Sequence, residues 1–292
     1  MGVLLVASHG GRITLKKITK DCLAFGMILL LIACAGASKS EKKDKTDRNL
    51  TVEEHFQLAR NAAEKGNLDE AVRQYKRVLD LDPKNARAHL NLGIVYGRQW
   101  NLIIEPPKDI LDLAAYHLEQ LPKTSMWKKE VSEYKEALRI NPNFAEAHFN
   151  LGVAYQEKGN HKEAIAEYQK TLQIYPNYLE AHNNLGILYF RKGMLDQALV
   201  EYQKTIEIKP DYAKGYYNIG SVYREKKKTD EAITSFQKAL EINPSFAEAH
   251  YSLAAIYYGK EEFRLALEHC DQAGKLGIPV DPKFLDRLKP YR

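Results

Sequence analysis

The chain has 292 residues, of which 45% are hydrophobic and 28% are charged. This composition is typical of a folded globular protein and argues against intrinsic disorder. The formal net charge is +5, and most of the surplus lies in the first 33 residues, which hold four basic side chains and one acidic one. The near-neutral remainder offers no basic footprint for nucleic acid. The three cysteines do not predict a disulfide framework, and none is spaced from a histidine like a metal ligand.

The N-terminus has the layout of an export signal. Basic residues precede an uncharged apolar run from Leu23 to Ala37, which is short for a membrane span of about 20 residues. The run contains Leu31-Ile32-Ala33-Cys34, which resembles the lipobox of bacterial lipoproteins. The resemblance implies that residues 1–33 are a signal peptide and that Cys34 is lipidated and becomes the mature N-terminus.

The residues after Cys34 refine this expectation. Ala35 follows the cysteine, and in enterobacterial lipoproteins a residue other than Asp there favours transport to the outer membrane. Residues 38–49 are polar and charged with no apolar face, which predicts that residues 34–51 form a flexible tether. We therefore expect a lipid-anchored protein of the bacterial envelope, at the outer membrane and facing the periplasm. The alternative is an uncleaved signal anchor, or a cytosolic chain, in which Cys34 has no role.

A period of 34 residues organises the rest of the chain. Pro142, Pro176, Pro210 and Pro244 recur at this interval, and Pro83 precedes Pro142 by 59 residues, which is one period plus an insertion of 25. Similar phrases recur between the prolines, such as AHFNLGVAY and AHNNLGILY. A period of this length is typical of helical repeat proteins.

The spacing within each period predicts two helices. We number each repeat so that its proline is position 32. His182, Leu185, Gly186 and Tyr189 then occupy positions 4, 7, 8 and 11, which form one stripe on a helix. Position 8 is always Gly or Ala, which lets two helices approach closely, and the proline ends the second helix.

This pattern resembles the tetratricopeptide repeat family. The resemblance implies an all-α fold, a right-handed superhelical solenoid of six helix-turn-helix repeats with a C-terminal capping helix. The predicted repeats are 52–85, 86–144, 145–178, 179–212, 213–246 and 247–278, with an insertion at 100–124 in the second repeat and a capping segment at 279–292.

The sequence contains no signature of catalysis. It has no glycine-rich phosphate loop, no nucleophile elbow and no paired carboxylates in an apolar setting. We therefore expect no catalytic residues, cofactor, metal or small-molecule substrate, and we expect the chain not to be an enzyme. Five repeats have a histidine at position 4, which we interpret as a packed core residue because each lies on the buried stripe: His55, His89, His148, His182 and His250.

The binding surface is expected on the first helices. In the family, positions 2, 5, 6, 9, 12 and 13 line the concave surface, which we call the groove face. Position 6 is asparagine in four successive repeats: Asn91, Asn150, Asn184 and Asn218. An amide can bond both the N–H and the C=O of a peptide backbone, and the repeats resemble those of O-linked N-acetylglucosamine transferases, whose position-6 asparagines do this. The alternative is that these asparagines serve helix packing.

Further residues of the groove face complete the prediction. We expect exposed aromatic and polar side chains from positions 5 and 12 to contact a ligand: Phe149, Asn183, Phe190, Tyr217, Arg224 and Tyr251. The insertion contributes Trp100, Ile103 and Ile104 to a second candidate surface, and an equally good interpretation is a private helix folded on its own repeat.

These features predict a protein-interaction scaffold. Its partners would be proteins or extended peptides, with membrane attachment through the lipid and no nucleic acid. Pilotins of type IV pili and protease-adaptor lipoproteins share this layout, so envelope, pilus or secretion assembly, or an adaptor role, is the expected setting. The alternative is a non-catalytic targeting subunit of an enzyme complex.

Overall fold

The computed structural model describes residues 50–101 and 126–291. The predicted lipidation site Cys34 and the insertion residues Ile103 and Ile104 lie outside the described residues. The chain divides into two units, Met1–His55 and Phe56–Arg292. Of the first unit, only residues 50–55 are described; there Thr51 and Glu54 form a reciprocal capping box at the start of the first helix.

Helices account for nearly all of the described residues, and no strand occurs among them. The all-α prediction is therefore confirmed. The helices are α1 Val52–Glu64, α2 Leu68–Leu81, α3 Ala86–Asn101, α4 126–140, α5 Ala145–Glu157, α6 His161–Ile174, α7 Leu179–Arg191, α8 Leu195–Ile208, α9 Ala213–Glu225, α10 Thr229–Ile242, α11 Ala247–Gly259, α12 Phe263–Lys275 and α13 Pro282–Leu288, followed by a 3₁₀ turn at Lys289–Tyr291.

The two helices of a repeat are joined by a turn whose position 15 is left-handed. Gly159 has φ 77° and Gly193 has φ 72°, a conformation that glycine adopts without a Cβ clash. Lys227 and Glu261 occupy the equivalent position with φ 60° and 62°, so the turn is kept without its glycine. The close packing of α5 on α6, α7 on α8, α9 on α10 and α11 on α12 forms successive helical hairpins.

In the second to fifth repeats, the core of the hairpin contains an aromatic ring packed on the glycine at position 8. The Tyr168 ring is fully buried against Gly152, where an added Cβ would lie 2.7 Å from the ring. Tyr202 packs on Gly186 in the same way. Position 8 is therefore small because the position-24 ring occupies the space of a side chain.

The last repeat is covered by α13. Leu288 is fully buried in the cluster that holds Tyr257 and Leu267, and the ring of Tyr291 stacks on Phe263 with centroids 4.2 Å apart. The predicted capping helix is thus confirmed. In the described part of the chain, no helix combines the length and the apolar character needed to cross a membrane.

Candidate functional site

The four position-6 asparagines of the groove face are half-buried, and each side chain already makes at least one hydrogen bond; that of Asn184 makes two. Asn91 bonds the side chain of Tyr75, and Asn184 Nδ2 donates to the Tyr168 hydroxyl at 3.3 Å. Each of these bonds joins position 24 of one repeat to position 6 of the next. The amides therefore contribute to packing between repeats, which the sequence left open.

The other two asparagines are bonded differently. Asn150 Nδ2 donates to the Glu146 carbonyl of its own helix at 2.8 Å. Asn218 Nδ2 donates to Asn183 Oδ1 at 3.1 Å. An amide has two N–H donors and an oxygen with two lone pairs, so these bonds leave capacity for a ligand. The amide row recurs once per repeat from the second to the fifth repeat, and its role in binding stays a prediction.

The position-5 aromatics are less exposed than the sequence suggested. The ring of Phe149 lies between Tyr168 and Tyr178, with centroid distances of 5.7 and 4.9 Å. Tyr217 lies between Phe236 and Phe246 in the same arrangement, at 5.5 and 5.0 Å. The expectation of exposed rings at these two positions is corrected: the position-24 and position-34 aromatics of the same repeat cover them.

The remaining predicted groove residues vary in exposure. Asn183 is buried, with 6% of its surface exposed, so it serves the Asn218 bond rather than an open surface. Phe190 is half-buried against the central core cluster, and Arg224 is exposed. Tyr251 is 38% exposed because the last repeat has Cys270 at position 24, where the other repeats have an aromatic ring. Trp100 lies in the last turns of α3.

Three of the five position-4 histidines form a hydrogen-bonded pair with a glutamate, which the sequence analysis missed. His182 Nδ1 lies 2.6 Å from Oε2 of Glu201, and its Nε2 lies 2.8 Å from the carbonyl oxygen of Pro176 in the preceding repeat. The glutamate is position 23, nineteen residues after the histidine, and this spacing was the available signal. The pairs are His89–Glu133, His148–Glu167 and His182–Glu201, each at 2.6 Å.

At His182 and His89 this geometry favours a protonated imidazole. Burial lowers the pKa of His182, but the hydrogen bond to Glu201 and the Pro176 carbonyl outweigh burial, so the pKa is raised above its ordinary value. The same holds for His89. Since both ring nitrogens face acceptors, the pair links the two helices of a repeat to the preceding proline. Among the described residues no group of His, Cys, Asp and Glu has the arrangement of a metal site.

Comparison with known proteins identifies the repeats. Family models described as TPR repeat match residues 62–99 and 220–260, and models described as tetratricopeptide repeat match residues 143–211 and 201–234. Together these matches cover more than half of the chain. The chain belongs to the tetratricopeptide-repeat family. Proteins with TPR repeats are generally non-catalytic, and this chain is a TPR scaffold for protein–protein interaction.

Individual relatives share only part of the chain. The human antiviral innate immune response effector IFIT1 is 30% identical over 100 residues, which are 34% of this TPR chain and 20% of that protein. The chain thus spans about a fifth of the length of this curated relative. The crystal structure of MamA protein is 28% identical with a TM-score of 0.52, covering 68% of this chain and 94% of that one.

A protein of Pseudomonas aeruginosa has a similar fold at low identity. The structure of Pseudomonas aeruginosa pilF has a TM-score of 0.63 at 16% identity, covering 82% of this chain and 97% of that one. At this identity the likeness concerns the TPR fold alone.

Proposed function

We propose that the chain is a non-catalytic adaptor, lipid-anchored in the bacterial envelope, that binds an extended segment of a partner protein on its groove face. The observation that carries the proposal is the amide row Asn91, Asn150, Asn184 and Asn218, which presents one amide per repeat. Because the amides recur at one-repeat intervals, they suit a ligand that runs along the repeats in an extended conformation.

The surroundings of the amide row support peptide binding. Ile94, Val153 and Ile187 at position 9 are half-buried, so the row is bordered by apolar surface that a ligand would cover. A backbone held by side-chain amides requires little of the ligand sequence. Selectivity would then come from side chains at particular repeats.

A cross-linking experiment tests the location of binding. A photo-reactive residue is placed in the full chain in cells at Val153 or Ile187, on the groove face, and at Val200, which is 53% exposed on the second helix of the fourth repeat. We expect one discrete adduct from Val153 and Ile187 and none from Val200. Equal adducts from all three positions would show that partners do not prefer the groove face.

The lipid anchor rests on the lipobox-like run that ends at Cys34. We expect the Cys34→Ser variant of the full chain to lose palmitate labelling and to accumulate as an uncleaved precursor. Cys270→Ser is the matched control, because Cys270 is fully buried in the last repeat. Unchanged labelling of Cys34→Ser, or equal loss in the control, would contradict lipidation at Cys34.

A further inference from the structure

A cavity of about 280 Å³ opens on the groove face where the first two repeats meet. Three arginines line it: Arg60, Arg87 and Arg98. Asn91 of the amide row lies in the same wall, and Leu90 and Ile94 provide apolar surface. Pockets for drug-sized ligands span about 300–1,000 Å³, so this one suits one or two side chains of a peptide.

The three guanidinium groups differ in how far their charge is compensated. Arg60 lies 3.6 Å from Glu64, one turn away on the same helix. Arg98 Nη1 donates to the Ala63 carbonyl at 2.8 Å, and a carbonyl is a neutral partner that does not compensate the charge. Arg87 lies over the ring of Phe56 at 5.4 Å from the centroid, and in the described part of the chain it contacts no carboxylate within ion-pair distance. Within residues 50–101 and 126–291, Arg87 and Arg98 therefore face the cavity without an ion-pair partner.

Two carboxylates line the cavity: Glu64, which pairs with Arg60, and Glu146. Glu146 belongs to the third repeat and is exposed. It forms no ion pair with Arg87 or Arg98 in the described structure. The charge of Glu146 would repel an anionic ligand and lower the affinity of the cavity for it. Replacing Glu146 should therefore have the opposite effect from replacing an arginine.

The arginine pocket is particular to this junction. Its arginines occupy position 9 of the first repeat and positions 2 and 13 of the second. At the next junction the same three positions hold Ile94, Glu146 and Glu157. The amide row continues through both junctions while the charge at these three positions changes sign, so the cluster of three arginines is present at the first junction and absent from the second.

We infer that this pocket binds the carboxylate side chain of an acidic residue flanked by apolar residues in an extended peptide. A guanidinium donates two parallel hydrogen bonds to a carboxylate, and Arg87 and Arg98 offer such forks beside the Asn91 amide. The half-buried Ile94 would contact a flanking apolar side chain. The inference rests on the proposed function and adds a register to it, because the acidic residue fixes where the peptide sits along the amide row.

Binding of synthetic peptides to the full-length chain in detergent tests the inference. The probe is a fluorescent, amidated decapeptide of Ala and Ser with a central Leu-X-Leu, where X is Asp, Asn or phosphoserine. We expect the Asp peptide to bind about tenfold more tightly than the Asn peptide, the scale of a charge-assisted hydrogen bond. Arg87→Gln and Arg98→Gln should each remove most of this preference while binding the Asn peptide normally.

Two further variants determine whether the effect is local. Glu146→Gln should raise the affinity for the Asp peptide several-fold, since it removes a repelling charge from the wall of the pocket. Arg264→Gln removes an equal charge from an exposed arginine of the last repeat and should change nothing. Partial rescue by Arg87→Lys would agree with an electrostatic contact, and circular dichroism verifies that each variant is folded.

The contrary outcomes are distinct. The inference is wrong if Arg264→Gln weakens the Asp peptide as much as Arg87→Gln does, or if neither pocket variant alters the Asp preference. Tighter binding of the phosphoserine peptide, with displacement of the Asp peptide by inorganic phosphate, would reassign the pocket to phosphate. Equal binding of the Asp and Asn peptides overturns this inference alone, whereas no binding of any peptide overturns the proposed function as well.

Discussion

Glu130 lies against Gly97 in the interior of the second repeat, so close that a Cβ added to Gly97 would be 2.6 Å from Glu130 Oε1. Glu130 occupies position 20, which is alanine in the other five repeats. Only 5% of its surface is exposed, and Oε2 has no hydrogen-bond partner in the described part of the chain. Burial first, and then the charge of Glu157, raise its pKa to about 7. The repeat thus contains an ionisable group that costs stability when charged.

We predict that Glu130→Gln removes a pH dependence of stability. Because the folded-state pKa of Glu130 is raised from 4.5 to about 7, the folded state binds the extra proton in this window and stability falls as pH rises through it. The full cost, up to about 3 kcal/mol, is present above about pH 7. Glu130→Gln should be more stable than the wild type at about pH 8 and similar to it near pH 4.5.

Urea unfolding between about pH 4.5 and 8 measures this effect. Glu163→Gln is the control, since Glu163 is exposed on α6 and its replacement removes the same charge. A parallel pH profile for Glu130→Gln and the wild type would mean that Glu130 is not the titrating group.

A second prediction concerns the pair His250 and His269 in the last repeat. His269 stands at position 23, where the second to fourth repeats have glutamate, and its Nδ1 lies 2.9 Å from that of His250. It also stacks on Tyr257 and lies near Glu268. Burial and then the charge of His250 lower the pKa of His269. The folded state therefore binds fewer protons, and stability is lost as pH falls below about 6.5.

His269→Glu should restore the pair seen in the other repeats. We expect a gain on the order of 1 kcal/mol near pH 5.5, the scale of a partly exposed charge-assisted bond. Hydrogen exchange of α11 and α12 measures it locally, because protection there should stop declining on acidification. His269→Gln, which has no charge, should give a smaller gain. If the wild type and His269→Glu lose stability equally on acidification, the His250–His269 pair is not the cause of the acid sensitivity.

A third prediction uses an ion pair that is present at the last two junctions between repeats and absent where the third repeat meets the fourth. Asp196 pairs with Lys226, and Asp230 lies 3.5 Å from Lys260, so position 18 of one repeat pairs with position 14 of the next. Between the third and fourth repeats these positions hold Lys162 and Lys192, both exposed.

Lys162→Asp should create the missing pair. An aspartate in the first turn of α6 also suits the helix dipole, and the expected gain is about 0.5 kcal/mol, measured as a rise in melting temperature. Lys162→Ala should give a smaller gain, and the difference should disappear in high salt. If Lys162→Asp melts at the temperature of Lys162→Ala in low salt, the two side chains do not pair.

The fold could be predicted from the sequence because the same packing contacts between helices recur in every repeat. Each Gly or Ala at position 8 predicts a close approach of two helices. The Tyr168 ring, which lies where a side chain at Gly152 would be, shows this approach. The left-handed Lys227 shows the limit of residue-by-residue reasoning, since its neighbours impose the turn without a glycine.

The candidate site was less predictable for a geometric reason. Helical periodicity assigns a residue to a face, but it does not say which rings from other helices cover that face. Phe149 was therefore expected to be exposed, although Tyr178 from the end of its repeat stacks on it. The arginine pocket joins Arg60 to Arg87 from different repeats, a pairing that no spacing within one repeat indicates.

The last prediction separates a binding amide row from a structural one. The Asn150 amide bonds only a carbonyl of its own helix, whereas Asn184 bonds the Tyr168 hydroxyl across a repeat junction. Asn150→Ala should therefore leave the melting temperature almost unchanged, and Asn184→Ala should cost about 1 kcal/mol of stability. If the row binds a peptide backbone, both variants should weaken the uncharged Asn peptide by about fivefold to tenfold.

Asn150→Ala is the decisive variant, because a loss of affinity in it would not be accompanied by a loss of packing between repeats. Calorimetric melting and peptide affinity are measured on the same sample, with Ser221→Ala as a groove-face control whose hydroxyl likewise bonds a carbonyl of its own helix, that of Tyr217. Loss of affinity at unchanged melting temperature would establish Asn150 as a backbone contact. Normal affinity in Asn150→Ala, combined with early melting of Asn184→Ala, would make the row structural. Binding would then depend on the arginine pocket or on the exposed Tyr251.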